Sequence, residues 1–310
     1  MRCKYLFLNN FMDNVEQALS VRPIVPAIGA RIDGVDLARI TDVEFKAVHD
    51  ALVKHHVVFF RDQQLTNEIL LAFARRFGEP QLATESSFGK LEGFPEIDVL
   101  DYDATRPPYV TKEMWHTDFS GREKPTLGSV LYAKTAPESG GDTLWVSLAA
   151  AYDALSPRMK RYLDGLSAEH RTIKAFGDDI RSNLWMDELG QKRFEQIKAL
   201  PHADHPVITT HPVSGRNMLY VNEGYTYRLL GVERKEGDAI LNYLFGHLRM
   251  PEFQIRHHWR EGDVAVWDNR ATQHYAVADY SARRVMHRVT IKGERPSQLA
   301  QGTELRRTPC

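Results

Sequence analysis

Cysteine is almost missing from this chain, which has two in 310 residues, Cys3 and Cys310, one near each end. So few thiols exclude a disulfide framework and fit a reducing compartment, so a cytoplasmic location is expected. Neither cysteine has ligand-type neighbours, and both read as inert. An excess of one charge is missing too. Forty basic residues face 41 acidic ones, for a formal net charge of -1. Nothing in that balance would attract nucleic acid or an anionic membrane. No apolar run approaches the ~20 residues that span a bilayer. The run Tyr5-Leu6-Phe7-Leu8 stops at Asn9-Asn10, too short for a signal-peptide core. Repeats, low-complexity tracts and long Gly/Ser- or Pro-rich linkers are also lacking. So are G-x-G-x-x-G and P-loop patterns, which removes the usual support for dinucleotide binding and nucleotide hydrolysis.

What is present is a chain with 43% apolar residues spread along its whole length, enough to bury a full core. The expected organisation is a leader over residues 1–20, one domain over 21–296 and a polar tail over 297–310. Val25 to Ile32 reads as a strand. Asp42 to Lys54 reads as a helix with Val43, Phe45, Val48, Leu52 and Val53 on its apolar side. Val57-Val58-Phe59-Phe60 is a continuous β-branched and aromatic run, which predicts a buried strand. Asn67 to Phe77 predicts a second helix, stopped by Gly78. Further strands are expected over 127–132, 142–146, 218–221, 254–259, 263–267 and 284–292. Helices are expected over 148–155, 157–165 and 236–248. Many strands with a few outer helices argue a β-barrel or sandwich, not a doubly wound α/β sheet.

Three segments carry chemistry. The first is His116-Thr117-Asp118. Residues two apart in extended chain point the same way, so an imidazole and a carboxylate project together. That pair is two-thirds of a 2-His-1-carboxylate triad, which leaves Fe(II) open positions for other ligands; a surface His/Asp pair is the plainer alternative. The second, Trp267 to Ala276, holds His274, far away in sequence as a third ligand from another strand should be. The third runs from Arg283 to Ile291. Arg284, Met286, Arg288 and Thr290 share one face of that strand, and His287 lies on the other. Two arginines on an inner face are costly unless each meets an anion; the alternative is a solvated edge strand.

Together these segments resemble the TauD/TfdA family of Fe(II)/2-oxoglutarate-dependent dioxygenases. The resemblance rests on Trp115-His116-Thr117-Asp118, Gly140-Gly141-Asp142-Thr143-Leu144-Trp145, His211-Pro212-Val213-Ser214-Gly215 and Val221-Asn222-Glu223-Gly224. It continues through Gly262 to Arg270, Thr272-Gln273-His274-Tyr275-Ala276, Asp279-Tyr280 and Arg284-Val285-Met286-His287-Arg288, in the family's order and spacing, from about residue 22 to 296. It implies a double-stranded β-helix (jelly roll) core with flanking helices. It also implies that His116, Asp118 and His274 bind Fe(II), and that Thr143 and Arg284 hold the distal carboxylate of 2-oxoglutarate. Trp267 would pack beside that co-substrate. Arg288, helped by the Phe119 N–H, would meet the anionic group of a small carboxylate, sulfonate or sulfate ester. The implied reaction consumes O₂ and yields succinate, CO₂ and a hydroxylated product. Asp118 fills the place where related halogenases carry a small residue, which argues against halogenation. Members commonly self-associate, so a homo-oligomer is expected.

The sequence departs from the taurine-oxidising members. The stretch Gly78 to Phe88 has neither the histidine nor the tyrosine that grips taurine there, and Lys112 stands where an asparagine is expected. Arg122 and Lys112 either add a second anion contact or are loop-surface charges. Tyr225 and Tyr227 either line the pocket or pack. Two other classes use the same ligands. One is a redox-inactive metal enzyme, such as a zinc hydrolase or cupin-type isomerase. The other is a non-catalytic small-molecule binding protein.

Overall fold

The computed structural model describes residues 19–83, 89–103, 114–172, 174 and 202–299. Most of the expected leader, Lys112 and the tail from residue 300 lie outside the described residues. Helix α1 (Asp42–His55) starts at a reciprocal cap, in which the Thr41 hydroxyl accepts from Glu44 N and the Glu44 carboxylate from Thr41 N. It delivers the chain through His56, in the left-handed region at φ 67°, directly into β3 (Val57–Phe60). All four residues of β3 are buried, as its composition predicts. Helix α2 (Asn67–Arg75) covers the same sheet with Leu70, Leu71, Phe73 and Ala74.

That sheet has eight strands. They are β1 (Ser20–Pro23), β2 (Ala30–Asp33), β3, β4 (Gly89–Leu91), β5 (Phe94–Tyr102), β6 (Gly128–Thr135), β14 (Val264–Asp268) and β16 (Arg284–Ile291). Their spatial order is β1-β2-β3-β14-β6-β16-β5-β4. A three-stranded sheet is formed by β7 (Thr143–Ser147), with β13 (Gln254–His257) on one side and β15 (Thr272–Ala276) on the other. Between the two sheets lies an apolar cluster that draws Phe59, Leu131, Ala265, Trp267 and Met286 from the large sheet and Trp145 and Ile255 from the small one. The remaining strands form two smaller sheets: β8 (Ser167–His170) with β9 (Ala203–Pro206) and β12 (Thr226–Leu229), and β10 (Ile208–Thr210) with β11 (Asn217–Leu219). Helices α3 (Leu148–Ala154), α4 (Pro157–Leu163) and α5 (Arg234–Leu248) and a 3₁₀ turn over Pro251–Phe253 complete the described elements; α3 and α5 pack with β10 and β11 in a second cluster.

The architecture is thus mainly β with a few helices, as the sequence predicts. Three local expectations change. Val43, expected on the apolar side of α1, points to solvent from its first turn and is 81% exposed. The strand predicted from residue 25 begins only at Ala30, because residues 24–28 bend and Pro26 has no N–H for a ladder. Strands β1, β4, β8, β9, β10 and β12 have no counterpart among the predictions, and neither has β5. Its acidic residues Glu96, Asp98 and Asp101 hide a strand whose Ile97 is fully buried. The alternative of a solvated edge for β16 is excluded, since β16 lies between β6 and β5 with every residue but Val285 buried.

Gly128 starts β6, paired with Asp268 of β14. A Cβ there would sit 2.2 Å from the Trp267 carbonyl oxygen, so backbone must move to admit it. Gly128→Ala is expected to cost about 2 kcal/mol, as overpacking does. In urea unfolding this appears as a lower midpoint with an unchanged slope.

Candidate active site

His116 and His274 face each other across a two-residue antiparallel bridge. His116 N donates to His274 O at 3.1 Å, and His274 N to His116 O at 2.9 Å. The bridge sets the two imidazole rings 4.2 Å apart, centroid to centroid. Asp118 follows on the same face, with its carboxylate 3.5 Å from His116 Nε2 and 3.8 Å from His274 Nε2. Thr117, pointing the other way, pins this segment by donating its hydroxyl to the Thr272 carbonyl at 3.0 Å. One ligand atom from each of His116, Asp118 and His274 lies within 4.8 Å of the others.

The protonation states suit a cation. His116 Nδ1–H donates to the Met114 carbonyl at 2.8 Å, which leaves the Nε2 lone pair facing Asp118. Burial pushes His274 down to about 3, with His116 adding to the shift, so its imidazole is neutral near pH 7. Burial alone would raise Asp118. Arg288 and the two histidines outweigh it and hold the carboxyl well below the usual range. A neutral His274 imidazole, the inward-facing Nε2 of His116 and an ionised carboxylate around a common point are a donor set that fits Fe(II) with open positions.

The residues expected to hold the co-substrate also come together. Thr143 opens β7 and Arg284 opens β16, one on each sheet, and both are buried. Trp259 lies between them. Its Nε1–H donates to Thr143 Oγ1 at 3.0 Å, and the Arg284 guanidinium carbon is 5.9 Å from its ring centroid. Arg284 forms no ion pair with a carboxylate among the described residues, and its Nε is buried without a hydrogen-bond partner. Burial lowers its pKa, and Tyr280 is its polar neighbour. A buried arginine with an unmet N–H is a cradle that an incoming carboxylate would complete. Gly141, at φ 68°, lets the loop before Thr143 pass this arginine. A Cβ there would be 3.1 Å from Arg284 Cδ. Trp267 stacks at a tilt on His274, with centroids 5.1 Å apart, and so backs the ligand ring.

Arg288 is fully enclosed and already meets two carboxylates. Its Nε and Nη2 donate to Asp98 Oδ2 at 3.2 and 3.0 Å, and its Nη1 to Asp118 Oδ2 at 3.3 Å. Asp98 stands directly opposite Arg288 in the β5–β16 pairing. This partner was not foreseen, since its only local signal is a lone acid between the apolar Ile97 and Val99. Phe119 turns the chain at φ 56°, and its N–H lies against the Tyr225 hydroxyl. Tyr225 is buried, with its ring 6.5 Å from His116, so it lines the site. Tyr227, by contrast, lies under Arg171 and Arg234 and packs. Arg122 stacks on Phe119 and donates to Gln81.

A second unforeseen group holds the turn after Asp118. Asn222 Nδ2 donates to Ser120 Oγ at 3.0 Å, His170 lies on the same hydroxyl, and His205 Nε2 donates to the Ser120 and Arg122 carbonyls. Their wide sequence separation left no local pattern. His287 turns away from Arg288 and Arg284 onto Asn67 of α2, as its alternation predicts.

A family model described as taurine catabolism dioxygenase TauD, TfdA family, matches residues 20–290. The chain is 34% identical over 281 residues to an alpha-ketoglutarate-dependent sulfate ester dioxygenase of Pseudomonas putida, covering 90% of this chain and 91% of that protein. It is 33% identical over 294 residues to an alkylsulfatase of Acinetobacter baylyi, covering 93% and 89%. A crystal structure of a taurine dioxygenase from Burkholderia xenovorans superposes with a TM-score of 0.74 at 34% identity, covering 90% of this chain and 92% of that one. Fold, site geometry and these matches agree: the chain belongs to the TauD/TfdA family of dioxygenases.

Proposed function

We propose that this enzyme oxidises a small organic anion, a sulfate ester or sulfonate before a carboxylate, with Fe(II), 2-oxoglutarate and O₂. The observation that carries this reading is the pairing of a three-atom ligand cluster with a buried arginine that no carboxylate neutralises among the described residues. A zinc hydrolase or isomerase has no use for that arginine. The sulfate ester and sulfonate preference is supported by the relatives named above. The span of the family match supports one catalytic domain over 21–296, with a jelly-roll core as the finer description of the two packed sheets.

His116, Asp118 and His274 would hold the iron, and Thr143 and Arg284 the far carboxylate of 2-oxoglutarate. When bound, iron and 2-oxoglutarate supply oxidation by O₂, coupled to loss of CO₂ and formation of succinate. The protein's own residues position and enclose. Arg284 and Thr143 fix the oxo acid by charge and hydroxyl, which orients its other end toward the three ligands. Trp267, behind His274, keeps water from the ligand ring. Arg288 and the Phe119 N–H would meet the substrate's anionic group by exchanging part of their present bonding, the contacts to Asp118 and to the Tyr225 hydroxyl, while Asp98 keeps the guanidinium fixed from the neighbouring strand. Hydroxylation at the carbon bearing a sulfate oxygen gives a hemiacetal-like product, which collapses to an aldehyde and inorganic sulfate.

Anaerobically purified protein is to be given Fe(II), 2-oxoglutarate and a panel of alkyl sulfates, sulfonates and carboxylates, then air. Substrate-stimulated succinate is expected, with one sulfate released per succinate for the active sulfate ester. The His116→Ala variant should lose at least ~100-fold of this activity. Substrate turnover without succinate would sink the proposal in favour of a redox-inactive metal enzyme. Arg284→Gln is expected to raise KM for 2-oxoglutarate about 100-fold, because it removes a charged contact of about 3 kcal/mol. Mn(II) affinity, measured by calorimetry, should stay within about twofold, since Arg284 touches no ligand residue.

A further inference from the structure

Thr143 has a feature that its role as a carboxylate anchor does not itself demand. Its hydroxyl accepts a hydrogen bond from the indole N–H of Trp259 at 3.0 Å, and both side chains are buried. An indole nitrogen can only donate, so Thr143 Oγ1 is the acceptor in that bond. The threonine proton must then point elsewhere. The same Trp259 ring lies 5.9 Å from the Arg284 guanidinium carbon, within cation–π range. Trp145, itself buried, packs against Trp259 at 6.3 Å between centroids, and His257 meets its ring edge-on at 4.8 Å. The indole therefore has little freedom to turn. One rigid side chain touches both groups that face the far end of the oxo acid.

We infer that Trp259 is a positioning residue for the co-substrate. It takes the acceptor side of the Thr143 hydroxyl, so that the hydroxyl presents its proton to the distal carboxylate, and it steadies the Arg284 guanidinium beside it. This rests on the 2-oxoglutarate reading above. The consequence is selective. Trp259 discriminates in favour of an oxo acid with a second carboxylate and is indifferent to one that lacks it. A residue that merely filled space would affect both acids alike.

The test is a binding comparison with Zn(II)-loaded protein under anaerobic conditions, using calorimetric titration of 2-oxoglutarate and of 2-oxobutyrate. Trp259→Phe keeps the ring and removes the N–H. It is expected to weaken 2-oxoglutarate about tenfold and to leave 2-oxobutyrate within about twofold. Thr143→Val should show the same selectivity, and the double variant should be no weaker than Thr143→Val alone, since the indole acts through the hydroxyl. Equal weakening of both acids by Trp259→Phe, or full additivity with Thr143→Val, overturns the assignment. Wild-type protein that binds neither acid overturns the co-substrate reading, and this inference with it. A second measurement uses the unaltered chain. With ¹⁵N-labelled indoles, one of the five tryptophan N–H resonances should move with 2-oxoglutarate, stay with 2-oxobutyrate and be displaced in Thr143→Val. Five resonances that respond identically to both acids would also overturn it.

Discussion

The cost of holding charge out of water organises this molecule. Between its strands the protein keeps Asp98, Asp118, Arg284 and Arg288, each at most 6% exposed. An unpaired ion in such surroundings costs several kcal/mol, so each must be answered by a partner or by a ligand. Asp118 and Arg288 answer each other, and Asp98 supports Arg288 from the adjacent strand. The two histidines and Asp118 leave a gap shaped for a cation. Arg284 is the exception, a buried cation with an unmet N–H, which the proposed anionic co-substrate would answer. The stability the fold gives up at these positions is what prepares it to bind.

The sheets exist to deliver those groups. Alternation along β16 aims Arg284 and Arg288 inward and sends His287 to Asn67 on the helix side. Register does the rest. The β5–β16 pairing sets Asp98 opposite Arg288, and a slip of one residue would turn every charged group to the wrong face. The isolated bridge between His116 and His274 is held by two backbone hydrogen bonds, so the ligand geometry rests on main chain and not on flexible side chains. The turn after Asp118 is tied by Asn222, His170 and His205 through Ser120, which keeps Phe119 in its left-handed conformation.

Much of this was legible from local pattern. The run Val57 to Phe60, helix α1 with its Thr41/Glu44 cap, and the inward face of β16 all follow from residues within a few positions of each other. The H-x-D spacing is local too, and the family resemblance joined it to His274 and to the Thr143/Arg284 pair. Strand β5 escaped because its acidic residues look like those of a loop, although one of them is a buried counter-ion. Trp259 gave no sign of its task, since its partner Thr143 is 116 positions away. The network around Ser120 spans residues 120 to 222 and has no periodicity to betray it.

The sequence by itself determined which residue types face inward and where helices begin, which are consequences of period and propensity acting over one strand or one turn. Its resemblance to the family, and not local spacing alone, singled out two histidines, a carboxylate and two arginines as candidates. Only the tertiary structure decided that Asp98 sits on Arg288, that Tyr225 lines the site while Tyr227 packs, and that Trp259 links Thr143 to Arg284. Each of those depends on strand register and on how two sheets close over one core. Such contacts join residues distant in the chain, and no local pattern encodes them.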